Sequence, residues 1–79
     1  MSADVIAQKI KELIANGLDH NIEQVTDDCD LQRDLGADSL DLTELLMTIE
    51  EEFDIDFDEN DMSELVVKDI ISLVKSKMD

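Results

Sequence analysis

Apolar residues recur at helical spacing in three stretches of the chain. Ile6, Ile10, Leu13 and Ile14 fall at i, i+4, i+7 and i+8, one face of a helix. Ser2 or Asp4 can cap its start, Asn16-Gly17 reads as its stop signal, and Leu18 closes the end hydrophobically. A second stretch runs from Ser39 or Leu40 to about Phe53. At about 100° per residue, Leu42, Leu45, Leu46, Ile49 and Phe53 share one broad sector, which is the core face. Leu40 and Met47 point to roughly the opposite side, among Glu44 and Glu51. Two apolar residues stacked on an acidic face read as a docking stripe. Val67, Ile70, Ile71, Val74 and Met78 mark a third helix, with Lys75 and Lys77 at the end that the helix dipole reserves for cations.

Between these stretches the pattern is weaker. Residues 19–37 show no sustained period, only the isolated anchors Ile22, Val25, Leu31 and Leu35. A loop of that length is unusual in a small domain and often functional. Its anchors pin it across the helices, with room for one short helical turn. Residues 54–58 alternate polar and apolar. With no second strand to pair with, they read as an extended linker. Residues 59–64 read as a short helical turn, with Met62 and Leu65 pointing inward. The expected fold is all-α: one domain over residues 1–79, a small four-helix bundle of three longer helices and one short one, with a long loop between the first two.

Composition agrees with this and narrows the function. A chain of 79 residues hides only about 60–65% of its unfolded surface, and 43% apolar content is enough for one core. Without Trp or Tyr, and with Phe53 and Phe57 as the aromatic residues, that core is aliphatic. The net charge of −16 repels nucleic acid and anionic membranes, which need cationic contacts, and favours basic partners. Cys29 is the single cysteine. It cannot form an internal disulfide, and among Asp27, Asp28 and Asp30 it reads as an inert structural thiol. His20 has no Cys or His at ligand spacing and is not read as a metal site. No secretory signal or membrane-length apolar run is expected, so the expected location is the cytoplasm. No nucleophilic triad or phosphate loop is present, and the carboxylates read as solvated surface, so no catalysis is expected. A calcium loop is the competing class, since Asp54, Asp56 and Asp58 match the first ligand positions of an EF-hand. Glu59 then stands where Gly is required and Leu65 where a bidentate Glu should close the site.

The chain is organised around Asp38-Ser39-Leu40-Asp41. Gly36 breaks any helix arriving from the loop. Asp38 or Ser39 can then cap the second helix, with Asp41 in its first turn against the positive dipole end. Read in isolation, Ser39 is a cap whose hydroxyl lies near solvent. The surrounding run Asp34-Leu35-Gly36-Ala37-Asp38-Ser39-Leu40-Asp41, followed through Glu44 and Met47 to Glu50-Glu51-Glu52-Phe53, closely resembles the acyl carrier proteins. Their signature is Asp-Ser-Leu at the start of a second helix. The resemblance extends from about Ile6 to Val74.

The resemblance implies that Ser39 is the attachment point of 4′-phosphopantetheine, transferred from coenzyme A by a phosphopantetheinyl transferase. It implies a recognition surface of Asp38, Leu40, Asp41, Glu44, Met47 and Glu51, docking on basic patches of acyl-processing synthase enzymes. It further implies an acyl pocket lined by Leu31, Leu42, Leu45, Leu46, Ile49, Phe57, Met62, Leu65, Ile70 and Leu73. The chain is then a monomeric carrier of acyl thioesters, in fatty-acid synthesis or, as the runner-up, in a polyketide, lipid or other specialised pathway. Some positions depart from the family. The linker lacks the proline common before the third helix, Val66-Val67 replaces a polar start of the last helix, and Met62 and Ile70 stand where smaller residues are frequent. These departures bear on pocket size and leave the attachment motif intact.

Overall fold

The first helix, α1 (Ala3–Gly17), forms where the apolar spacing predicts it and buries Ile6, Ile10 and Ile14 along one stripe. The structure is a computed structural model that describes residues 3–58, 61 and 65–78. The end of α1 differs from expectation. Gly17 is still helical, and the left-handed residue is Asp19, with φ 58°. There the His20 amide donates to the Ala15 carbonyl at 2.9 Å, the long closing bond of a Schellman turn. Gly17 serves packing instead. A Cβ at this position would stand 3.3 Å from Leu45 Cδ1 on the second helix, so its absence lets the two helices approach.

That second helix, α2 (Ser39–Phe53), buries Leu42, Leu45, Leu46, Ile49 and Phe53, the sector that its periodicity assigns to the core. It is closed in the same way as α1. Asp54 takes φ 55°, and the Ile55 amide donates to the Glu50 carbonyl at 3.1 Å. The Glu50 carboxylate then accepts the Phe57 amide at 2.9 Å, which turns the linker back over the core and buries Phe57. Residues 54–58 form no strand. The last helix, α3 (Val67–Met78), buries Val67, Ile70, Ile71 and Val74 and leaves Met78 exposed. Lys75 and Lys77 occupy its last turn. The described residues thus form three α-helices and one 3-10 turn, Ile22–Gln24. Of the short turn read at 59–64, Asp61 is the one described residue; the rest of it, Met62 included, and the cap read at Ser2 lie outside the described residues.

The long loop is held by more than its apolar anchors. Val25, Leu31, Leu35 and Ala37 are buried, and Ile22 is partly buried against the same core. In addition, residues 27–31 pair through the backbone with the residues leading into α3. The Leu31 amide donates to Leu65, the Val67 amide to Cys29 and the Lys68 amide to Asp27, each at 2.9 Å. The ion pair Lys68–Asp28 at 3.3 Å reinforces the join, and Lys11–Asp27 at 2.8 Å ties the same loop to α1. Such exposed pairs contribute little individually. Leu31 ends fully buried beside Ile10, Ile14, Ile49, Val67, Ile70 and Val74, so the loop supplies the core as the helices do. The Cys29 thiol donates to the Gln24 carbonyl at 3.1 Å within this loop.

Candidate functional site

The chain approaches α2 through a tight reversal. The Asp34 and Gly36 amides donate back to Asp30 and Gln32, and Gly36 adopts φ 72°, a conformation that glycine takes without steric cost. The Ala37 amide then donates to the Leu31 carbonyl at 2.9 Å. Asp38 follows in extended conformation as the cap of α2. Its carboxylate accepts the Asp41 amide at 2.8 Å, and the Asp41 carboxylate accepts the Asp38 amide at 3.2 Å. This reciprocal capping box satisfies two backbone donors at the helix start.

The cap is therefore Asp38, and Ser39 is the first helical residue. Ser39 is exposed, and its hydroxyl makes no hydrogen bond among the described residues. The Ser39 carbonyl takes part in the helix and also accepts the Thr43 hydroxyl at 2.9 Å. The first turn leaves the amides of Ser39 and Leu40 without an acceptor among the described residues. Amides in that position, at the positive end of the helix dipole, tolerate a covalently attached phosphate. An unencumbered hydroxyl beside them fits attachment of a phosphodiester.

From Ser39 a stripe of exposed residues descends α2. Leu40 is 66% exposed and Met47 is 51% exposed, values that place both on the solvent side although each is large and apolar. Asp38, Glu44 and Glu51 are exposed, and Asp41 is partly buried. Glu44 and Glu51 make no ion pair among the described residues, whereas Glu52, on another side of α2, is held by Lys9 at 3.0 Å. The negative charge beside Leu40 and Met47 is thus left unneutralised.

The residues expected to line an acyl pocket fall on the other side of α2. Leu31, Leu42, Leu45, Leu46, Ile49, Phe57 and Ile70 are buried in one cluster, with Leu65 and Leu73 partly buried against it. A cleft of about 290 Å³ between α1 and α2 is lined by Leu13, Asn16, Asp41, Glu44, Leu45 and Thr48, among others. Of the expected pocket residues it includes Leu45. Nothing in the apolar pattern signals this cleft. Gly17, one of two glycines in the chain, marks the helix approach beside it. Of the three aspartates matched to a calcium loop, Asp54 closes α2 and Asp58 accepts the Asp61 amide at 3.0 Å.

Three comparisons bear on this site. Residues 8–74 match the family described as the phosphopantetheine attachment site. An acyl carrier protein of Nitratidesulfovibrio vulgaris is 42% identical over 73 residues, covering 91% of this chain and 96% of that protein. Acyl carrier protein 3 of Ralstonia nicotianae is 34% identical over 79 residues, covering 99% of this chain and 91% of that one. The solved acyl carrier protein of Enterococcus faecalis superposes with a TM-score of 0.82 at 28% identity, covering 98% and 99% of the two chains.

Proposed function

The chain belongs to the phosphopantetheine-attachment carrier family, and from that premise we propose that it carries acyl groups for fatty-acid synthesis on a 4′-phosphopantetheine arm joined to Ser39. The observation that carries this is the division of labour at the start of α2. Asp38 supplies the cap, so the Ser39 hydroxyl stands exposed and uncommitted. When attached, the arm supplies a terminal thiol that holds an acyl group as a thioester. The chain's own residues hold the attachment oxygen at a fixed helix end, present a docking face and shield apolar cargo. No catalytic step is assigned to them.

Docking falls to Asp38, Leu40, Asp41, Glu44, Met47 and Glu51. Its partners are a phosphopantetheinyl transferase and acyl-processing enzymes with basic patches. Exposed apolar anchors within an unpaired acidic rim support this reading, since such anchors carry a large share of binding energy and the charges steer encounter. The buried set Leu31, Leu42, Leu45, Leu46, Ile49, Phe57, Ile70 and the half-buried Leu65 and Leu73 would part to admit the acyl chain. The chain acts as one monomeric domain in the cytoplasm. No helix of the described residues is long and apolar enough to cross a membrane.

Acyl loading tests the function. After incubation with coenzyme A and a phosphopantetheinyl transferase, an acyl-ligating enzyme and a fatty acid should add one acyl group, and neutral hydroxylamine should remove it as expected for a thioester. A chain that takes the arm but no acyl group contradicts the carrier function.

A further inference from the structure

His20 looks idle in the sequence, yet the fold gives its side chain a partner in the loop before Ser39. The Schellman closure of α1 fixes its backbone, through the His20 amide and the Ala15 carbonyl. Its ring then reaches across to the loop before Ser39, where Nε2 lies 2.9 Å from the Leu35 carbonyl. A carbonyl can only accept, so Nε2 carries the proton and donates. On the other edge, Nδ1 lies 3.2 Å from Gln24 Oε1. That oxygen is itself oriented by the Asn21 amide, which donates to it at 2.9 Å.

The loop residues that the ring grips lead straight to the attachment motif. Leu35 and Gly36 share a peptide plane. Gly36 holds the left-handed reversal, and Ala37 delivers the chain to Asp38 and Ser39. The other bonds of this reversal, Asp34 to Asp30, Gly36 to Gln32 and Ala37 to Leu31, are internal to it. Apart from the local bonds to Asp30 and Leu31, the His20 bond is the hydrogen bond among the described residues that reaches residues 32–37.

We propose that His20 is a positioning residue for Ser39, tying the Leu35–Gly36 peptide to the end of α1 so that the Asp38 cap and the attachment hydroxyl at the start of α2 are held in one conformation. This rests on the assignment of Ser39 as the attachment residue. Attack by a hydroxyl in a docked complex is sensitive to its placement, and a misplacement of about 1 Å can cost about a hundredfold in rate. Loss of one strap should cost less. Because Leu40, Glu44, Met47 and Glu51 are untouched, the effect should fall on turnover and not on docking.

Two substitutions test this below their melting temperatures. His20→Phe keeps a ring of similar size without a donor, and His20→Gln keeps a donor able to reach the Leu35 carbonyl. With a phosphopantetheinyl transferase and coenzyme A, His20→Phe should lower kcat for modification by about five- to tenfold and leave KM within about twofold. His20→Gln should restore at least half of the parent kcat. Exchange of the Gly36 amide should quicken in His20→Phe and return towards the parent rate in His20→Gln. A parent-like kcat in His20→Phe, a His20→Gln variant as slow as His20→Phe, or unchanged Gly36 exchange overturns the positioning role while leaving attachment at Ser39 standing. A parent chain that is not modified, or a Ser39→Ala variant that is, overturns the assignment of Ser39 and the positioning role with it.

Discussion

At Asp38 the carboxylate accepts the Asp41 amide, and removing it exposes an unpaired donor at the helix start. Asp38→Ala should therefore cost about 1 kcal/mol, as loss of a cap does, readable by thermal melting. An unchanged melting temperature would show that the box is dispensable. Asp54 presents the opposite case. It closes α2 in the left-handed region, which costs a residue with a Cβ roughly 1 kcal/mol, and it sets a negative charge at the negative end of the dipole. Asp54→Gly relieves both, against the added entropy of a glycine in the unfolded chain. The expected result is a higher melting temperature, by about 1 kcal/mol of stability or less. A lower one would mean that the aspartate side chain holds the turn.

Along α2, folding and docking occupy opposite sides. Leu46 is 2% exposed and Met47 51% exposed, although they are adjacent in sequence. Leu46→Ala should cost about 2–5 kcal/mol through lost burial and a cavity. Met47→Ala should change stability by less than about 0.5 kcal/mol and still weaken binding to an acyl-processing enzyme. Glu44→Lys should do likewise and remove much of the salt dependence of association. If Met47→Ala melts like Leu46→Ala, or binds as the parent does, the exposed stripe is not the docking face. This helix was legible because a regular period of 3.6 residues sorts its side chains into two sectors without reference to any other element. The closure of α1 was not, because a left-handed residue usually announces itself as glycine, whereas here Asp19 takes that role and Gly17 serves helix packing. The joins of Leu31 to Leu65 and Val67 to Cys29 are backbone bonds between distant residues, and no side-chain pattern encodes them. The contact of His20 carries no sequence signal either, since its partner is a backbone carbonyl. Ser39 was legible as an exposed helix-start hydroxyl, while the choice between Asp38 and Ser39 as the cap depended on geometry.

Across the whole molecule, the net charge of −16 opposes a compact state through self-repulsion. Among the described residues, four of the six Lys and Arg side chains are engaged in ion pairs, with Glu52, Asp27, Asp28 and Asp61. The acidic side of α2 receives none at Glu44 or Glu51. Moderate salt, with a screening length of about 8–10 Å, should raise the melting temperature near neutral pH, and divalent cations should act at lower concentration. A melting temperature flat in salt would contradict this. Acid acts on a specific join. The Asp58 amide, and after it the Lys77 ammonium at 2.9 Å, hold the Asp61 carboxyl below its ordinary value of 3.8. A depressed folded-state value contributes stability that is present above 3.8 and lost as pH falls through the folded value, because the unfolded chain then binds the proton more readily. The gap in melting temperature between the parent and Asp61→Asn should shrink as pH is lowered below 3.8. A gap that holds or widens would remove Asp61 from the acid response.

Peptide mass spectrometry after incubation with coenzyme A and a phosphopantetheinyl transferase tests the assignment of Ser39 most directly. The predicted result is one phosphopantetheine per chain, on the peptide that contains Ser39, with no addition to Ser39→Ala. Addition at another residue, or addition that persists in Ser39→Ala, would contradict it.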